Sequence, residues 1–208
     1  MHKTHVNDQH KTVADILMET RPYLKDVGED PLRPGIVHRL DKETSGLVMI
    51  AKNQEVYNYF KQQFQERKIQ KQYLALVHGS PNNSRATITA PLGKIGTKQT
   101  TQIKGKKELI ERDAITEYAV IQKFKDYSLL EVSPKTGRTH QIRVHLKSIG
   151  HPIVGDQIYG SKKLPTPVGL KRLFLHARRL SFVTPDGNAL TLEVDLPEDL
   201  QKILSGLQ

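Results

Sequence analysis

Apolar residues recur at helical spacing in some stretches of this chain and at strand spacing in others. Val13, Ile16, Leu17 and Leu24 make the first helical stripe, with Thr12 as its cap and Asp15 three residues on. Residues 25 to 35 hold two Pro and two Gly and read as a loop. Leu47 to Ala51 is a short apolar run between the turn Thr44-Ser45-Gly46 and Lys52, and predicts a buried strand. Gln54 to Arg67 predicts a second helix, with Val56, Tyr59, Phe60 and Phe64 facing a core. Lys71 to His78 predicts a strand, with Tyr73, Ala75 and Val77 on one side and Leu74 and Leu76 on the other.

Further along, Ala86 to Ala90 predicts a short strand, and Glu117 to Phe124 with Ser128 to Val132 a pair around Lys125-Asp126. Lys94 to Lys107 carries five Lys and no apolar period, so it reads as a basic loop or extended hairpin. Thr139 to Ile149 predicts a helix buried along Thr139, Ile142, Leu146 and Ile149. Leu180 to Val183 and Leu190 to Val194 bracket the turn Thr184-Pro-Asp-Gly-Asn188, a hairpin signal. Pro197 to Leu207 predicts a terminal helix. Strands adjoin strands without regular crossover units, so the expected class is α+β, with a mixed, mostly antiparallel sheet and flanking helices. No internal repeat or linker divides the 208 residues, and a single domain over 1–208 is expected.

Charge adds a partner class. The chain carries a formal net charge of +10, which favours polyanions through phosphate neutralisation. With no Trp, seven Tyr and five Phe, it offers no multi-aromatic platform for generic single-strand stacking. No apolar run is long enough for a membrane span. The absence of Cys excludes disulfides and thiol chemistry and suits a reducing compartment, so a cytoplasmic, monomeric protein is expected.

Asp41 stands between Arg39 and Lys42, on a loop ahead of the predicted Leu47–Ala51 strand. Loops held by a scaffold are where chemistry concentrates. The nine histidines make no metal pattern: His140 and His145 are five apart, His38, His151 and His176 stand singly, and there is no His-Glu-x-x-His. Neither Gly-x-Gly-x-x-Gly nor a phosphate-loop motif occurs, so no cofactor is expected.

His38-Arg-Leu-Asp-Lys-Glu-Thr-Ser-Gly-Leu47 resembles the signature of the RluA-type RNA pseudouridine synthases. Four further segments resemble that family's motifs in the same order: Lys71-Gln-Tyr73, Thr136-Gly-Arg138-Thr-His140-Gln-Ile-Arg143-Val-His145, Gly150 to Gly160, and Leu175-His176-Ala-Arg178-Arg-Leu180. The resemblance implies a synthase catalytic core with a central cleft. It implies an isomerase that converts uridines of ribosomal or transfer RNA, without cofactor or metal. It gives Asp41 the role of catalytic carboxylate, acting either as nucleophile at the anomeric carbon or as base on the neighbouring sugar carbon. Arg143 would pair with that carboxylate. Tyr73 would lie against the target base and assist proton removal from its carbon 5. Arg39 would hold the flipped nucleotide and Leu175 would pack on the base. Arg138, His140 and His176 complete the expected substrate-binding set, with His38 and His176 donating hydrogen bonds that shape the site.

Relatives carry a strand ending in Asp-Lys-Pro-x-Gly, and often a small helical domain, ahead of the point equivalent to residue 5. An N-terminally shortened catalytic domain is therefore expected. Two rivals follow: a truncated, non-catalytic RNA-binding relative, and a carboxylate hydrolase. The hydrolase would need a second carboxylate facing Asp41, and Glu43 is too close in sequence to serve.

Overall fold

The computed structural model of the chain describes residues 11–96, 98–101, 111–161 and 163–208. In chain order its elements are α1 (Val13–Thr20), β1 (Ser45–Gly46), α2 (Gln54–Gln65), β2 (Gln70–His78), β3 (Arg85–Thr89), β4 (Gly93–Ile95), β5 (Lys98–Thr100), β6 (Ile115–Lys123), β7 (Tyr127–Pro134), α3 (Gln141–Ser148), β8 (Leu175–Val183), β9 (Ala189–Glu193) and α4 (Glu198–Ser205). They form a mixed α/β structure whose main sheet is mostly antiparallel. The chain divides into two compact units: Met1–Lys42, Leu47–Ile69 and Ser181–Thr191 in the first, and Glu43–Gly46, Gln70–Leu180 and Leu192–Gln208 in the second.

In the first unit, Thr12 and Asp15 cap α1 reciprocally. The Asp15 amide donates to Thr12 Oγ1 (3.2 Å) and the Thr12 amide to Asp15 Oδ2 (2.8 Å). The helix stops at Thr20 and a 3₁₀ turn, Pro22–Asp26, follows, because Pro22 has no amide to extend the ladder. The helix turns Ala14, Leu17 and Met18 inward, so Val13 and Ile16, expected on the buried face, are exposed. Asn53 caps α2 through its Oδ1, which accepts from the Val56 amide at 2.9 Å. Tyr57 and Phe60 are the residues α2 buries, and Phe60 meets Phe182 edge-on at 5.3 Å. Tyr59, expected inside, is half-buried, and its hydroxyl donates to the carbonyls of Val183 and Thr184. The predicted strand over Leu47–Ala51 is extended chain with a single bridge, Ile36 to Ile50. Its neighbour is the Arg33–Ile36 turn, where Pro34 offers no amide, so no ladder can propagate.

The main sheet, most of whose strands belong to the second unit, runs in the order β1-β8-β2-β7-β6-β3, with β9 also paired to β8. The β2–β7, β7–β6 and β6–β3 pairs are antiparallel; β1–β8 is parallel. β2 lies inside this order, and Leu74 to His78 are buried on both faces. α3 is also buried almost all round: Gln141 to Leu146 are all inside. Of its expected stripe, Ile142 and Leu146 are buried. Thr139 precedes the helix and is exposed, and Ile149 caps it at 36% exposure. Leu200 and Ile203 of α4 join Leu76, Leu130, Leu146 and Phe174 in one core. Of the expected basic loop, residues 97 and 102–107 lie outside the described residues; β4 and β5 account for its start.

β1 is only two residues long, yet it is tightly specified. Ser45 pairs with His176 and Gly46 with Ala177. Gly46 has φ +114°, and a Cβ there would sit 2.2 Å from the Ala177 carbonyl oxygen. Glycine is thus required both by conformation and by close approach. Gly46→Ala should force β1 off β8 and lower stability by at least about 1–3 kcal/mol, the usual scale for local backbone strain. Chemical denaturation measures this, and a variant as stable as the parent would contradict the register.

Candidate active site

The motif around Asp41 begins in the first unit. His38 stacks on Phe64 at 4.7 Å, and its Nε2 accepts from the Met49 amide at 2.9 Å. A backbone amide can only donate, so this ring nitrogen carries no proton and the neutral ring's proton sits on Nδ1. Leu40 is buried, Arg39 is exposed and Asp41 is half-buried. Anchoring at His38 and Leu40 leaves Arg39 between them and Lys42 beyond them exposed, with Asp41 half-buried.

The motif's end, Glu43 to Gly46, belongs to the second unit. Ser45 Oγ lies 2.9 Å from His176 Nδ1 and accepts from Arg172 Nη1 at 3.1 Å. Arg172 Nη1 also reaches the Glu43 carbonyl (3.4 Å), and its Nε and Nη2 grip Asp199. His176 Nε2 donates to the Val194 carbonyl, so its Nδ1 is the acceptor for Ser45. Burial holds the His176 pKa below the ordinary value; the Val194 bond opposes that shift and Arg172 and Arg178 add to it. His176 and Leu175 are both buried.

Arg143 projects from α3 into a buried fork. Its Nε donates to Asp156 Oδ2 at 2.7 Å and its Nη2 to Asp156 Oδ1 at 2.8 Å. Oδ1 also accepts from the Ile158 and Tyr159 amides. Burial alone would raise the Asp156 pKa, but the guanidinium and the two amides outweigh it and hold the carboxyl below its ordinary value. The Arg143 guanidinium lies 5.1 Å from the Tyr159 ring centroid. The Tyr159 hydroxyl accepts from the Gln99 amide and lies 2.8 Å from His140 Nδ1. His140, just before α3, has φ +55°, which few non-glycine residues adopt.

A second buried network holds the turn ahead of α3. Gln141 uses its whole amide: Oε1 accepts from Thr136 Oγ1 and the Arg138 amide, and Nε2 donates to the Ile115 carbonyl and Thr116 Oγ1. Thr136 Oγ1 in turn accepts from the Ile115 amide. His145 Nε2 donates to the Ala90 carbonyl, so its Nδ1 takes the Thr116 hydroxyl hydrogen at 2.9 Å. Burial lowers the His145 pKa against the pull of the Ala90 carbonyl.

The structure thus brings Arg143, His140 and Arg138 onto one turn-and-helix segment and places Tyr73 on the buried strand β2. It sets Leu175 and His176 at the start of β8. Sequence reasoning assigned no role to Asp156 and Tyr159, although both lie in the quoted Gly150–Gly160 segment. The signal was available: Gly155-Asp156 directly after the buried Ile153-Val154 places a carboxylate in an apolar setting that demands a cation. Among the described residues, no cluster of His, Asp or Glu could hold a metal ion.

A family model described as RNA pseudouridylate synthase matches residues 1–148. The chain belongs to that family. It is 43% identical over 198 residues to an uncharacterized RNA pseudouridine synthase of Chloroflexus aurantiacus, covering 95% of this chain and 60% of the relative. It is 39% identical to the ribosomal large subunit pseudouridine synthase D of Nitrosomonas europaea, covering 96% and 57%. The structure superposes on the human RNA pseudouridylate synthase domain containing 1 with a TM-score of 0.76 at 28% identity, covering 92% and 78%. The chain therefore spans about 60% of the length of the curated relatives it matches.

Asp156→Ala should strip the buried Arg143 guanidinium of its two-point partner and leave the Ile158 and Tyr159 amides without their acceptor, and cost about 3 kcal/mol of stability. Urea unfolding reads this directly, and a loss below about 1 kcal/mol would mean that the Asp156 fork does not hold this part of the fold together.

His145, His78 and His176 all have lowered pKa values. Below about pH 6.5 the unfolded chain therefore binds protons that the folded one refuses, so stability should fall on acidification from that point and stay flat just above it. Urea titrations from pH 7.5 to pH 5 check this, and a stability that holds or rises on acidification contradicts neutral buried imidazoles.

Proposed function

We propose that this protein isomerises specific uridines to pseudouridine in ribosomal or transfer RNA. The observation that carries the reading is membership of the RNA pseudouridylate synthase family over a region that contains Asp41, Tyr73 and Arg143 together. The name of the Nitrosomonas relative favours ribosomal RNA as the substrate.

Isomerisation requires the base–sugar bond to break, the uracil to turn, and a new bond to form through its carbon 5. The target nucleotide leaves its stack to reach the protein, as in other base-modifying enzymes. Asp41 supplies an ionised carboxylate, as nucleophile at the anomeric carbon or as base at the neighbouring sugar carbon. By its place in the family's motif order, Arg143 is the cation assigned to this carboxylate. Its own geometry supports such a task, because the Asp156 fork fixes the guanidinium plane through Nε and Nη2. Tyr73 offers a ring for the base and a hydroxyl for the proton that leaves carbon 5. Arg39, exposed on the same segment as Asp41, holds the displaced nucleotide, and Arg138, His140, Leu175 and His176 shape its surroundings.

Asp41→Asn removes the charge with little change of shape. The variant should fold and bind RNA like the parent while pseudouridine formation falls by roughly a thousandfold or more, the scale of lost covalent or general-base catalysis. Incubation with unmodified ribosomal RNA, followed by mapping of pseudouridines, measures this. Appreciable product from the variant would remove Asp41 from the mechanism, and free uracil from the parent would indicate hydrolysis instead.

A further inference from the structure

Lys71 differs from the lysines that form ion pairs. Lys11, Lys61, Lys68, Lys135 and Lys202 each meet a carboxylate. Lys71 is partly buried on β2, and no carboxylate pairs with it among the described residues. Burial alone pushes its ammonium below the ordinary lysine pKa, with no anion acting to restore it. A cation removed from water without a counter-charge is costly, and such a cost is retained where a partner arrives from outside.

The position of the ammonium narrows what that partner is. Lys71 and Tyr73 stand two apart on one strand and so face the same side, about 7 Å apart along it. Lys71 Nζ reaches the turn ahead of α3, where a Cβ built on Gly137 would lie 3.6 Å from it. The backbone at Gly137 is not in the left-handed region, so the chain conformation does not demand glycine there. What glycine does is keep the space beside the ammonium clear. Arg138 follows, half-buried, with its Nε on the Asp113 carbonyl.

We infer that Lys71 and the Gly137-Arg138 turn form the seat of one backbone phosphate of the RNA, close to the nucleotide that Tyr73 receives. The inference rests on the RNA-modifying reading above, because phosphate is the anion that an RNA backbone brings. Lys71 is then a binding residue that fixes the register of the strand on the protein. Binding supplies the missing counter-charge, so affinity is coupled to a site the free protein holds unbalanced.

The test is the salt dependence of RNA binding in Lys71→Met, which keeps length and removes charge. Fluorescence anisotropy of a labelled oligouridylate is followed across a potassium chloride series, with thermal melting as a check on folding. The melting temperature should be equal to or above that of the parent. Binding should weaken, and the log–log salt slope should become shallower by about 0.7, the value for one phosphate contact on a single strand. Lys71→Gln should behave likewise. On unmodified ribosomal RNA the loss should appear in KM rather than in kcat. An unchanged slope in both variants overturns the proposal, as does a parent with no salt-dependent binding. A fall in kcat with unchanged affinity also overturns it, by placing Lys71 in the chemistry. Binding is read without turnover. A parent that makes no pseudouridine yet shows the Lys71-dependent slope would therefore refute the catalytic reading and leave the phosphate seat standing.

Discussion

The buried pair of Arg143 and Asp156 is the constraint from which the rest of the second unit's motif geometry follows. Both side chains are almost wholly removed from water. An isolated charge in that setting would be prohibitively costly, so the arrangement persists only with all its hydrogen bonds in place. Asp156 therefore draws the Ile158 and Tyr159 amides to itself, and Tyr159 closes over the guanidinium. Through Tyr159 the constraint extends to His140 and to Gln99 in β5. A charged side chain is thus held as part of the core.

β1 solves a related problem for the other end of the Asp41 motif. Two residues give too few backbone bonds to define a strand alone. Ser45, His176, Arg172 and Asp199 supply the missing definition through side chains, and Gly46 fits where no side chain can. The segment that follows Asp41 is anchored by chemistry rather than by length, which leaves the loop itself short.

The sequence made the strands β2, β3, β6 and β7, the β8–β9 hairpin and the helices α2 and α4 legible, because their periodicity and turn residues agree with the folded state. It was misleading where tertiary context overrode a local pattern. The Leu47–Ala51 run is apolar enough for a strand but lies beside a proline-containing turn that cannot form a ladder. The stripe assigned to α3 held at Ile142 and Leu146 and missed at Thr139 and Ile149, which lie beyond the helix ends, and it did not show that Gln141, Arg143, Val144 and His145 are buried too. Motif order singled out Asp41, Tyr73 and Arg143 as candidates. The partners that fix Arg143 were harder to see, since Asp156 lies thirteen residues away and its burial is a property of the fold.

The chain of hydrogen bonds through Thr136, Gln141, Thr116 and His145 has a direction: every donor in it has one acceptor and each hydroxyl both gives and receives. Replacing Thr116 with valine would silence a donor to His145 and an acceptor for Gln141 in one step. Replacing Gln141 with glutamate would put an acceptor where Thr116 and the Ile115 carbonyl expect a hydrogen. In evolutionary terms these four positions cannot drift one at a time. They form a single heritable unit, and a lineage that changes one must change its neighbours or lose the turn that carries Arg138.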